Sequence, residues 1–147
     1  MPKNTAEYLR KRYQTNNPFE IADQLGILVV FVPLEAETHG LFQRYKKSSI
    51  IYINDSLPEQ NKKLVCAHEL GHAILHKGLN RVFMDAHTLI VPGKFEKAAW
   101  RFAVDLLWTD ADLREFQEWT IPQIANYLGI SEELAEYRML SVIPKLY

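Results

Sequence analysis

His68, Glu69 and His72 lie in the stretch VCAHELGHAILH (65–76), and their spacing constrains the fold more than anything else in the chain. Four residues along a helix rise about 6 Å and turn about 40° past one full turn. Two imidazoles so placed point the same way and converge on one ion at about 2.0–2.1 Å from each nitrogen. The stretch is therefore expected to be helical. Glu69 falls on the flank of the same face, too close in sequence for a third ligand. It is well placed to take the proton of a water at the metal as general base. His76 continues the ladder, but it lies about 12 Å along the axis from His68 and cannot share its ion. It is assigned to the helix end, where it meets the last carbonyls or the macrodipole. Cys66 faces roughly the opposite side and reads as a small core residue.

A catalytic zinc site needs a third protein ligand and one position left for water. The form HExxHxxGxxH is excluded, because Leu75 and Gly78 occupy the corresponding positions. The other solution is a glutamate on a following helix. Glu96 is the best placed, in the first turn of FEKAAWRFAVDLL, where an acidic residue also suits the helix dipole. Ala98 and Ala99 are small enough to let that helix approach the motif helix closely. His87 is the rival third ligand. Asp85 and His87, in MDAHT, are otherwise candidates for a pair supporting the ligands, a donor to the transition state, or a polar loop anchor. His39 reads as an exposed turn residue.

The elements around the motif follow from local signals. Residues 5–14 form an amphipathic helix. Asn17-Pro18-Phe19-Glu20 opens a second helix to Leu25, closed by Gly26. ILVVFV (27–32) is a buried strand stopped by Pro33. LFQRY (41–45) and SIIYI (49–53) flank the turn KKSS as a hairpin. Ser56-Leu57-Pro58-Glu59 matches a capping box for the motif helix, expected to run to about Lys77. Residues 79–93 form a loop, and a helix follows over 94–107. Two shorter helices come next. Thr120-Ile121-Pro122-Gln123 caps a helix to Leu128, and Ser131 caps the last one, toward Leu140. The order is that of an α+β fold with a small antiparallel or mixed sheet.

At 147 residues the chain is one ordinary domain, able to bury a core without disulfides, and it has a single cysteine. A net charge of -1 gives no general pull toward nucleic acid or an anionic membrane. Its longest apolar run, Ile27 to Leu34, is far too short to span a bilayer. The N-terminus lacks the apolar core of a secretory signal, so a cytoplasmic protein without membrane partners is expected.

YINDSLPEQNKKLVCAHELGHAILH, then MDAHT, then FEKAAWRFAVDLL resembles the ImmA/IrrE family of metallopeptidases. In that family a strand ending in Asn leads into the HExxH helix, and a later ExxANxFAxxLL element supplies the third zinc ligand. Glu96, Ala99, Phe102, Ala103, Leu106 and Leu107 match that element, whereas Trp100 stands where Asn is common and Trp108 near the usual Pro. The resemblance covers roughly residues 18–140. It implies a zincin-like domain, a three-stranded sheet packed on the HExxH helix, over 1–108. It also implies one Zn²⁺ held by His68, His72 and Glu96, and a substrate that is a helix-turn-helix repressor of a phage, mobile element or stress regulon.

Residues 109–147 are expected to form a helical subdomain packed on that core. IPQIANYLGISEELAEYRM in it resembles part of a helix-turn-helix. A DNA-reading helix needs Arg, Lys, Asn or Gln near its start. This one begins Ser131-Glu132-Glu133 and adds Glu136, against the electrostatics of phosphate binding. A packing or partner-docking unit is the better reading, with no direct nucleic-acid contact. The leading function is a zinc endopeptidase. The alternatives are a non-catalytic regulator that binds a repressor or toxin-like partner and, behind it, a DNA-binding protein.

Overall fold

A computed structural model of the chain describes residues 2–76 and 93–143. The chain divides into two units, residues 1–107 and 108–147. In the first, helices α1 (Pro2–Tyr13) and α2 (Pro18–Gln24) precede strands β1 (Ile27–Val32), β2 (Gly40–Tyr45) and β3 (Ser48–Asn54). Helices α3 (Glu59–Leu75) and α4 (Gly93–Leu107) follow. The α+β expectation holds, with a mixed sheet of order β1-β3-β2. β1 runs parallel to β3, and β2 antiparallel to it.

Local chemistry explains most boundaries. The Asn17 side chain accepts the Phe19 N–H at 2.9 Å, Pro18 fills the first turn of α2, and Gly26 turns the chain at φ +74°. The hairpin is tighter than expected. Tyr45 pairs with Ser48, so only Lys46 and Lys47 make the turn, and Lys46 takes a positive φ of 56°.

The start of α3 corrects the expected capping box. The helix begins at Glu59 after Pro58, with no side-chain cap. Ser56 donates instead, through both its backbone N–H and its hydroxyl, to Asn54 Oδ1 at 3.1 and 2.9 Å. The buried Asn54 captures those donors because its amide is already fixed. Its Nδ2 faces the carbonyls of Leu34, Glu35 and Thr38 at 3.3, 3.2 and 3.0 Å. One side chain thus holds the β1–β2 connection against the end of β3 and shapes the turn into α3.

α3 is buried continuously from Leu64 to Ala73. It packs on β2 and β3, whose Phe42, Ile51 and Ile53 are also buried, and on α4. It ends at Leu75, slightly short of the expected Lys77. The last carbonyls of α4 are met by donors from the start of the chain: Arg10 Nη1 bonds the carbonyl of Asp105, and Asn16 Nδ2 bonds that of Leu107 at 2.7 Å.

In the second unit, α5 (Asp110–Leu113), a short 3₁₀ turn (Arg114–Phe116), α6 (Ile121–Leu128) and α7 (Glu132–Met139) enclose Leu113, Phe116, Ile124, Leu128, Ala135 and Met139. Thr109 and Thr120 close capping boxes, and the Ser131 side chain accepts the Leu134 N–H. Gly129 ends α6 in the left-handed conformation at φ +74°. Arg138 is only 2% exposed. Its guanidinium donates to the Trp108 carbonyl at 2.6 Å and to Asp110 Oδ1 at 2.8 Å, so this cation of α7 turns inward while Glu132, Glu133 and Glu136 are exposed.

Candidate metal centre

α3 and α4 approach closely where their residues are smallest. Gly71 lies inside the motif, and a Cβ built there would sit 3.1 Å from the Ala99 carbonyl oxygen and 3.2 Å from its Cα. That approach brings the first turn of α4 over the histidines. Glu96 Oε1 lies 2.6 Å from His72 Nε2, and Glu96 Oε2 lies 3.3 Å from His68 Nε2. Among the described residues, His68, His72 and Glu96 form a group whose ligand atoms all lie within 4.8 Å of one another. The two histidines are buried, and the Glu96 side chain is 40% exposed.

The donor set fits a divalent metal. Two imidazoles and a carboxylate are the protein ligands of a catalytic zinc site. Ligand atoms about 2.1 Å from a tetrahedral ion stand about 3.4 Å apart. The His68–Glu96 separation already matches that, whereas the His72–Glu96 contact is a hydrogen bond that has to open by under about 1 Å.

Glu69, on α3 beside His68, keeps its Oε2 3.9 Å from His68 Nε2. Burial, and then the charge of Glu96, push its pKa up to about 8 in the metal-free protein. Burial pushes Glu96 the same way, but hydrogen bonds and charge from His68 and His72 outweigh it and leave its pKa well below the carboxylate range. Burial lowers the pKa of His68 against the pull of Glu96. The two carboxyl groups are thus driven apart in the metal-free protein, Glu69 upward by burial and Glu96 downward by its two histidine partners. Cys66 is a buried core residue, as its position on α3 suggested, and burial followed by the Glu69 charge raises its pKa far above that of a reactive thiol.

His76 departs from its expected place. Its backbone N–H bonds the His72 carbonyl, but its ring turns inward, with Nδ1 3.2 Å from His72 Nδ1 and an edge-on contact with Phe95 at 4.7 Å. It stands behind a candidate ligand, on the nitrogen turned away from Glu96. The helix ladder of the sequence carried that signal, but the direction of the ring depended on α4. Trp100, one turn after Glu96, stacks on His68 with centroids 3.9 Å apart. Its only sequence signal was its departure from the family's Asn. His39 is exposed, as expected. Asp85 and His87 lie outside the described residues.

Comparison with known proteins gives the family. The model of the IrrE N-terminal-like domain, peptidase family M78, matches residues 22–140. The chain is 38% identical over 141 residues to "Uncharacterized immunity region protein 2" of Bacillus phage phi105, covering 95% of this chain and 89% of that protein. It is 32% identical over 146 residues to metallopeptidase ImmA of Bacillus subtilis (strain 168), covering 95% of this chain and 85% of that one. With a family model matched over most of its length and its metal-ligand chemistry gathered at one place, the chain belongs to the ImmA/IrrE family of metallopeptidases.

Proposed function

We propose that the protein is a zinc-dependent endopeptidase in which His68, His72 and Glu96 hold one Zn²⁺ and Glu69 is the general base. The observation that carries this reading is the meeting of three ligand atoms from two helices beside the buried carboxyl group of Glu69. The metal, when bound, supplies Lewis acidity toward a water and a peptide carbonyl. Glu69 accepts the proton of the attacking water and delivers it to the departing amine. The half-exposed side of the cluster at Glu96 is where a peptide reaches it. Residues 1–108 form the catalytic core, and 109–147 form a helical accessory unit without a DNA-reading role.

An extended peptide can add to the sheet at β2, whose outer edge is unpaired among the described residues. A Cβ at Gly40, at the start of β2, would lie 3.6 Å from Glu69 Cγ, so this end of the strand lies beside the general base. The substrate is a helix-turn-helix repressor in the cytoplasm, a reading supported by the immunity-region relative from a phage. Asp85 and His87 are the candidates for a donor to the transition state.

The test combines metal analysis of the purified protein with cleavage of a helix-turn-helix repressor from the same genome, by wild type and by Glu69→Gln. Stoichiometric zinc with cleavage lost in Glu69→Gln supports the assignment. Absence of both zinc and cleavage rejects it in favour of a binding protein, and cleavage by Glu69→Gln at the wild-type rate rejects Glu69 as the general base.

A further inference from the structure

The two candidate histidine ligands are oriented by different means. A metal-bound histidine ordinarily donates its second ring nitrogen to a carboxylate, carbonyl or water, which fixes both its tautomer and its ring direction. His72 has a partner there of another kind, the imidazole of His76, with the two Nδ1 atoms 3.2 Å apart. His68 has none: its Nδ1 is buried and without a hydrogen-bond partner among the described residues. Something else must hold that ring.

The Trp100 indole lies on the His68 imidazole with ring centroids 3.9 Å apart and planes inclined by 22°, and the His72 ring meets it edge-on at 4.7 Å and 80°. The terminal torsion of a histidine is broad and soft when nothing restrains it. Turning the ring about that torsion swings its plane, and an indole against one face blocks the swing. A stack cannot distinguish the ring from its flipped form, but Glu96 can, because Oε2 sits 3.3 Å from Nε2. Trp100 follows Glu96 by four residues on α4, so both side chains project from one face of one helix. The helix that offers one metal ligand also carries the surface that aligns another.

We propose that Trp100 is a positioning residue for the metal site, holding His68 in ligating orientation by stacking in place of the hydrogen bond its Nδ1 lacks. The inference rests on the reading of His68 as a metal ligand, and it concerns metal affinity rather than peptide cleavage.

Zinc affinity of the metal-free protein, measured by competition with a chromogenic chelator, tests it. Trp100→Leu leaves a smaller apolar side chain and removes the aromatic face, and it is expected to lose about 10–100-fold in affinity, the range seen when a group behind a ligand is removed. Trp100→Phe keeps a ring to stack and is expected to stay within about threefold of wild type. Loss in both variants alike would mean that packing volume and not the stack matters, and would overturn the proposal. So would zinc binding by Trp100→Leu as tight as wild type. If wild type itself takes up no zinc, the metal-site reading falls and this inference with it. Full affinity in Trp100→Leu leaves the metal site standing and removes only the inference.

A second readout does not depend on how well the leucine variant folds. Co²⁺ bound beside Trp100 quenches tryptophan emission in the wild type, and most of that quench is expected to vanish in Trp100→Phe, which retains Trp108 and Trp119. An undiminished quench in Trp100→Phe places the ion away from this indole and refutes the assignment.

Discussion

Gly71 and Ala99 meet with no side chain between them: a Cβ added at Gly71 would lie 3.1 Å from the Ala99 carbonyl oxygen and 3.0 Å from a ring carbon of Phe102. Backbone cannot rotate out of the way as a side chain can, so Gly71→Ala must push α4 outward by a few tenths of an ångström, and Glu96 moves with it. The gain in helix propensity, about 1 kcal/mol, offsets only part of the overpacking, about 1–3 kcal/mol. We therefore expect a loss of stability of up to about 2 kcal/mol and a clear loss of zinc affinity. Unchanged affinity in a chelator competition would mean that the close approach does not set the ligand geometry.

Glu96→Ala and His76→Ala should differ in degree. Removing Glu96 takes away a ligand atom, and zinc affinity is expected to fall by more than about a hundredfold. His76→Ala removes only the group behind His72, and should cost about 10–100-fold. Equilibrium competition on both variants checks the order, and a reversed order would assign His76 to the metal.

Glu69→Gln should make the metal-free protein more stable, by an amount that depends on pH. In the fold the Glu69 pKa is raised from 4.5 to about 8. Between those values the folded state holds a proton that the unfolded chain has lost, so wild-type stability falls as pH rises through that window. Glutamine removes the penalty. Melting temperatures measured after chelation should be close near pH 4.5, diverge in favour of Glu69→Gln up to about pH 8, and run parallel above it. A constant difference across the window would show that Glu69 titrates normally.

Asn54→Asp should destabilise the protein at least as much as Asn54→Ala, although aspartate has the same shape. The amide nitrogen serves three carbonyls, and a carboxylate offers them only oxygen. The loss of a buried, fully used donor is expected to cost about 1–3 kcal/mol. Urea unfolding measures it, and an Asn54→Asp variant as stable as wild type would mean that the three contacts contribute little.

These outcomes divide along the line between what was legible in the sequence and what was not. The helical spacing of His68 and His72 carries its own geometry, and Glu96 could be singled out because few acidic residues follow the motif at the start of a helix. Asn17, Thr120 and Ser131 were readable as caps because each bonds a backbone group two or three residues away. Ser56 has the same local pattern, yet its hydroxyl goes to Asn54, whose own position is set by carbonyls 16 to 20 residues earlier. The parallel pairing of β1 with β3 and the inward turn of His76 likewise depend on neighbours distant in the chain. No local period encodes them.

The motif helix is sealed for ten consecutive residues, from Leu64 to Ala73. A segment with so little free surface cannot be altered to suit one partner over another without disturbing what it packs against. On the proposed reading, the general base and two of the three metal ligands sit in this sealed segment, and the β2 edge that would take a peptide lies outside it. The helix can stay constant while strand edges and connections drift, so relatives with different targets should differ most there and least between residues 64 and 73.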